Sequence, residues 1–154
     1  MIPPADPALC RALAADLRDA GYSAEALRSA WGDAADDAIA RGLRSPAARA
    51  LGSRRDALAV LARLLMLGMP QPAEAVKGAL ARTGDDGLVL LGLAAEDGDD
   101  LRPLALVRPQ SFVDASGAGQ WWIASDLDEA ALGGPLPEDH VLGVGGASRA
   151  ASVC

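Results

Sequence analysis

His140 is the only histidine, and a general base or metal ligand would be sought there first. No serine or cysteine accompanies it in a nucleophile motif. The nearby acids Asp126, Asp128, Glu129, Glu138 and Asp139 have neither calcium-loop spacing nor a pairing that specifies acid–base work. They read as a solvated stretch. Cys10 and Cys154 stand near the start and at the end, which makes neither a disulfide framework nor a metal site. Gly143-Val144-Gly145-Gly146 approaches a dinucleotide loop, but Ser148 occupies the last position of G-x-G-x-x-G and no helical pattern follows. These residues predict no catalytic group and no metal site.

Binding chemistry has two candidate sources. Trp121-Trp122 stands out in a chain with only five aromatic residues. Neighbours on a strand face opposite sides, so one ring fills the core while the other covers a second surface, and both are candidate partner-docking residues. Lys77, Arg82 and Arg102 are the candidate nucleic-acid contacts, with Arg54, Arg55, Arg63 and Arg108 as further basic positions. The net charge of −7 argues against general nucleic-acid binding and leaves room only for a local basic face.

The elements that must position these residues follow from local signals. Asp6-Pro7 and Ser23 start two helices with an N-cap acceptor. Leu9, Leu13 and Leu17 give the first an apolar face, and Gly21 ends it. Asp33 is expected to cap a third helix ending at Gly42, and Ser45-Pro46 a short fourth. Ser53 with Asp56 resembles a capping box for a helix through Leu58, Leu61, Leu64, Leu65 and Leu67, which is apolar over most of its circumference and therefore central. Further helices are expected over 73–82 and, capped by Asp85 or Asp86, through Leu91. Residues 93–96 and 101–108 read as a hairpin with an Asp97-Gly98 type I′ turn, and Pro103 predicts an edge strand. Residues 111–119 read as a polar loop and 120–125 as a third strand. After Leu127 periodicity is lost.

The predicted fold class is α+β, mainly α. A helical bundle (7–52) packs on a winged-helix-like part (53–127) with a small antiparallel sheet, making one domain over 1–127. An irregular linker (128–154) follows. The expected recognition helix carries Asp86-Gly87-Leu88-Val89-Leu90-Leu91, with no side chain suited to base edges. The wing tip carries Glu96, Asp97, Asp99 and Asp100, which would repel phosphate. No signal-peptide pattern is present, and the apolar run from Ala57 to Met69 is interrupted by Arg63 and too short to span a bilayer. A cytoplasmic location without membrane contact is expected.

The words Trp121-Trp122-Ile123-Ala124-Ser125-Asp126-Leu127 and Leu136-Pro137-Glu138-Asp139-His140-Val141-Leu142-Gly143-Val144-Gly145-Gly146-Ala147-Ser148 carry a resemblance. They resemble the segment before the catalytic domain in bacterial class I SAM-dependent methyltransferases, relatives of the small-subunit rRNA and release-factor glutamine methyltransferases. Residues 57–68 and 91–99 resemble the helical, winged-helix-like N-terminal domain of that family. The resemblance implies that His140, Gly143, Gly145, Gly146 and Ser148 line a cofactor and substrate cleft. It also implies S-adenosylmethionine as the full-length cofactor, although none is expected to be held by this chain alone. The family's glycine-rich SAM loop and Asn-Pro-Pro-aromatic motif are not found here, so the chain reads as truncated, frameshifted, excised or stand-alone, and inactive by itself.

The expected function is non-catalytic recognition or scaffolding for a methyltransferase acting on RNA or protein. Its expected partners are a catalytic domain, covalent or separate, and RNA or a translation protein. The alternative is a stand-alone winged-helix module that binds nucleic acid or docks a protein.

Overall fold

The computed structural model describes residues 6–127, and their fold is α+β, mainly α, with small antiparallel sheets. Helix α1 (Pro7–Asp19) starts where the Asp6 carboxylate accepts hydrogen bonds from the Ala8 and Leu9 amides. It stops at Gly21, whose φ of +69° turns the chain so that the Tyr22 amide donates to the Leu17 carbonyl. Helix α2 (Ala24–Trp31) starts with the Ser23 hydroxyl accepting from the Ala26 amide. Helices α3 (Asp33–Ala40) and α4 (Ser45–Leu51) complete the first half.

Helix α5 (Ala57–Leu61) continues into one π turn (Ala62–Met66), where the Leu67 amide reaches back to the Ala62 carbonyl. As its apolar circumference predicts, this segment is central: Ala59, Val60, Leu61, Ala62, Leu64 and Leu65 are all buried. Arg63 is its polar position and turns outward, donating to the Gly52 and Arg54 carbonyls. Next come β1 (Gln71–Pro72), α6 (Ala73–Ala79), α7 (Gly84–Leu90), β2 (Ala94–Asp97) and β3 (Asp100–Pro103). The three strands form an antiparallel sheet in the order β1-β3-β2. A separate two-stranded sheet pairs β4 (Ala105–Asp114) with β5 (Gly117–Asp126).

Several local expectations are corrected. Asp33, Ser45, Asp85 and Asp86 lie inside the first turns of their helices, and none of their side chains caps. Ser53 does not open α5, which starts four residues later. Asp56 holds the N-cap position, but its carboxylate is taken by a two-bond fork from Arg54, the stronger charge-assisted partner. Helix α6 ends at Ala79, short of Arg82. The β2–β3 turn is centred on Gly98-Asp99; Gly98 alone has positive φ, so the turn is not type I′. Pro103 sits in the central strand. It is tolerated because β1 pairs only with Asp100 and Leu101 and leaves Pro103 beyond its end. The expected strand over 101–108 breaks at Leu104, and the expected loop over 111–119 is a hairpin turning at Ala115-Ser116. Third-strand candidate 120–125 belongs to this second sheet. The segment after Leu127 lies outside the described residues.

Tyr22 joins the helices to the second sheet. It is completely buried, donates its hydroxyl to the Val107 carbonyl at 2.6 Å, and accepts at its own carbonyl from Trp122 Nε1 at 2.9 Å. Burial pushes the phenol well above its usual pKa, partly offset by the Arg108 charge, so it stays a donor. Tyr22→Phe leaves the buried Val107 carbonyl without this donor. It should destabilise the protein by about 1–2 kcal/mol in urea unfolding, and an unchanged midpoint would rule the bond out as a stabilising contact.

Candidate functional site

The β4–β5 hairpin is anchored at its base and bare at its tip. Ala105, Leu106 and Val107 on one strand and Trp122 to Ser125 on the other are buried, while Gln110, Ser111, Val113 and residues 114–118 are exposed. Cross-strand partners share a face, so Val107, Pro109, Trp122 and Ala124 form one side, and Gln110, Phe112, Gly119 and Trp121 belong to the other. On the first side Trp122 is 9% exposed, donates to Tyr22, and has the Arg18 guanidinium 5.3 Å from its ring centre. Gln120 Nε2 adds a donor to the same Tyr22 carbonyl.

On the second side Trp121 is 53% exposed and its ring centre lies 4.8 Å from that of Phe112, with the planes tilted by 41°. Phe112 lies over Gly119: a Cβ there would stand 2.3 Å from the ring, so only glycine permits this placement. Val113, on the first side, is exposed near the tip. The Asp114 carboxylate closes the turn by accepting from the Ser116 hydroxyl and amide, which lower its pKa.

Adjacent tryptophans thus separate. Trp122 is core and is not available to a partner, which corrects its candidacy as a docking residue, whereas Trp121 presents an open indole face. Phe112, its partner in the surface, was missed because 111–119 read as a loop, and residues 105–113 carry no period-two apolar pattern that would have signalled a long strand.

The candidate nucleic-acid residues are not arranged as expected. Lys77 is exposed on α6 and Arg102 on β3, while Arg82 is committed to a network. Its guanidinium bonds Asp16 at 3.1 Å and Asp19 at 2.6 Å, and its amide also donates to Asp16. The Thr83 amide donates to the same carboxylate at 2.7 Å. Asp16 is 2% exposed; desolvation raises its pKa, but the Thr83 and Arg82 hydrogen bonds outweigh that and hold it below the usual carboxylate value. Sequence reasoning passed over Asp16, although its spacing from Leu13 places it on the apolar face of α1. Glu96, Asp97, Asp99 and Asp100 are all exposed on the β2–β3 hairpin.

Two sizeable cavities open among the described residues. One of about 430 Å³ is lined by Leu27, Trp31, Met66 and Pro109 with Arg28 and Asp36 among its polar residues. Its Arg28 and Asp36 are already paired, Asp36 accepting from both Arg28 and the Trp31 indole. The other, of about 330 Å³, is lined by Arg54, Arg55, Arg63, Ser53, Gln71 and Pro72. Among the described residues no group of histidine, cysteine or acidic side chains could hold a metal ion, and no helix is long and apolar enough to cross a membrane. His140, Gly143, Gly145, Gly146 and Ser148 lie outside the described residues.

These features define a mainly helical α+β protein with a projecting two-stranded arm. Residues 19–104, more than half of the chain, match the family described as Domain of unknown function (DUF7059), and the chain belongs to that family. The match runs across the 52/53 boundary and ends at Leu104, where the chain leaves the first sheet for the arm. No curated protein and no solved structure matches the chain.

Proposed function

We propose that this chain is a non-catalytic recognition or scaffolding domain for a SAM-dependent methyltransferase acting on RNA or protein, and that it docks on the catalytic domain through the β4–β5 arm. The observation that carries the docking part is the exposed Trp121–Phe112 pair on a hairpin whose base is locked to Tyr22. Interfaces concentrate their energy in such rigid aromatic anchors. The methyltransferase part is supported by the resemblance of residues 121–127 and 136–148. The described residues contain no G-x-G-x-x-G loop between a strand and a helix, so they do not fit S-adenosylmethionine and no step of methyl transfer is assigned to them.

The test is binding of the chain to a separately produced catalytic domain of the resembling methyltransferases, followed by calorimetry. Trp121→Ala should weaken the complex by about 2 kcal/mol or more, roughly thirtyfold. Equal affinity for both chains would remove the arm from the interface, and absence of any complex would remove the reading.

Winged-helix-type nucleic-acid binding through α7 is the second reading. It has in its favour the order helix, strand, helix, helix, hairpin over 57–103. Against it stand Asp85 and Asp86 in the first turn of α7 and the acidic wing. The same element order also serves protein docking.

A further inference from the structure

Basic and acidic residues are segregated along this chain in a way the net charge of −7 conceals. Between Ala40 and Ala73 stand Arg41, Arg44, Arg49, Arg54, Arg55 and Arg63, and the only acid is Asp56. Three of them, Arg54, Arg55 and Arg63, meet at the 330 Å³ cleft formed by the α4–α5 connection, β1 and α6.

The three arginines are not equivalent. Arg54 is neutralised by its two-bond fork with Asp56. Arg63 spends two of its five donors on the Gly52 and Arg54 carbonyls, at 2.8 and 2.7 Å, and so pins the backbone on both sides of Ser53. Arg55 follows this pinned segment, is exposed, and has no hydrogen bond or ion pair to any described residue. A held loop thus presents one uncommitted guanidinium, the spare donors of a second, and the Ser53 hydroxyl around one opening. No acidic side chain is among the residues that line the cleft, although Pro72, one of them, pairs with Asp100 of the neighbouring strand.

We infer that this cleft contacts the phosphodiester backbone of a nucleic acid. A planar guanidinium matches the paired oxygens of a phosphate. A cleft with few, fixed donors suits one or two phosphates, and register is set by such contacts without base reading. The inference deepens the recognition reading and rests on it for the choice of a nucleic-acid substrate, but it uses a different surface from the docking arm. It also moves the contact away from Lys77, Arg82 and Arg102.

The experiment is fluorescence anisotropy of the whole chain with a short labelled RNA, and with DNA of the same sequence, between about 50 and 200 mM salt. RNA, alone or together with DNA, should bind with an affinity that falls as salt rises. Arg55→Glu should weaken binding about tenfold and reduce the log–log salt slope by about one. Because Arg55 is exposed and unpaired among the described residues, this variant should keep its fold, which circular dichroism checks. Arg102→Glu should leave binding unchanged. Trp121→Ala should also leave it unchanged, so that failure of the docking reading and failure of this one are read separately. The inference is overturned if neither nucleic acid binds at the lowest salt. It is equally overturned if Arg55→Glu binds as well as the parent, if Arg102→Glu weakens binding as much, or if polyglutamate of the same length binds as tightly.

Discussion

Replacing Asp16 by Ala should lower the stability of the protein by about 2–4 kcal/mol, because two backbone donors lose a charged acceptor. Arg82 is half exposed and regains water, so its share of the loss is small. The Thr83 amide is buried, and the Arg82 amide partly so, and neither has a substitute within α1. Asp16→Asn should cost nearly as much, since its amide nitrogen would face donors. The effect depends on pH in a definite direction. The folded-state pKa of Asp16 lies below the ordinary 3.8, so folding favours the ionised form. Its contribution is therefore fully present above that unfolded value and is lost as pH falls through the folded one. Urea unfolding of parent and Asp16→Ala should show the full gap at neutral pH and a shrinking gap below 3.8. A gap that persists unchanged in acid would show that the carboxylate's charge contributes nothing.

Trp122→Ala should cost about 3–5 kcal/mol, the range for removing a large buried aromatic side chain. Trp122 is 9% exposed and holds the arm through its bond to the Tyr22 carbonyl, so both core volume and anchor are lost. Trp121→Ala, one residue away, should change stability by no more than about 0.5 kcal/mol, because its ring is 53% exposed and packs mainly on Phe112. Thermal unfolding of the two variants separates them; in a chain of this size each kcal/mol moves the midpoint by about 2–4 °C. Equal losses would mean that the Trp121–Phe112 side holds the arm as much as Trp122 does, and a larger loss for Trp121→Ala would reverse the assignment of faces. Together with the binding measurement, the pair distinguishes a residue that holds the arm from one that the arm presents.

The candidate site was partly legible. Strand alternation alone separates Trp121 from Trp122, but not which of them is inward; that choice is made by Tyr22, about a hundred residues earlier, whose carbonyl meets the Trp122 indole. Arg82 looked like a surface cation because its partner Asp16 is 66 residues away, and hydrogen-bond partners across such separations leave no local pattern. Phe112 was hidden by the glycines and serines around it, which are common in loops but here lie in a paired ladder. The arginine cleft lies in a stretch where basic residues do cluster in the sequence. Which of them are already committed, and to which carbonyl or carboxylate, follows only from the packing of the α4–α5 connection.

Local chemistry alone determines where α1 and α2 begin and end, since a side-chain oxygen within three residues supplies the missing acceptor and Gly21 or Gly32 the stop. The burial of 57–66 is likewise local, because an all-round apolar helix has nowhere to lie but the centre. Tertiary structure decides the rest. Pro103 occupies a central strand because its neighbour is two residues long. Strand β3, which begins at Asp100, ends before Leu104, whose amide donates to the Leu93 carbonyl, and the chain starts a second sheet. In both cases a partner outside the local segment outweighs a local preference of about 1 kcal/mol or less, and propensity cannot anticipate such a partner.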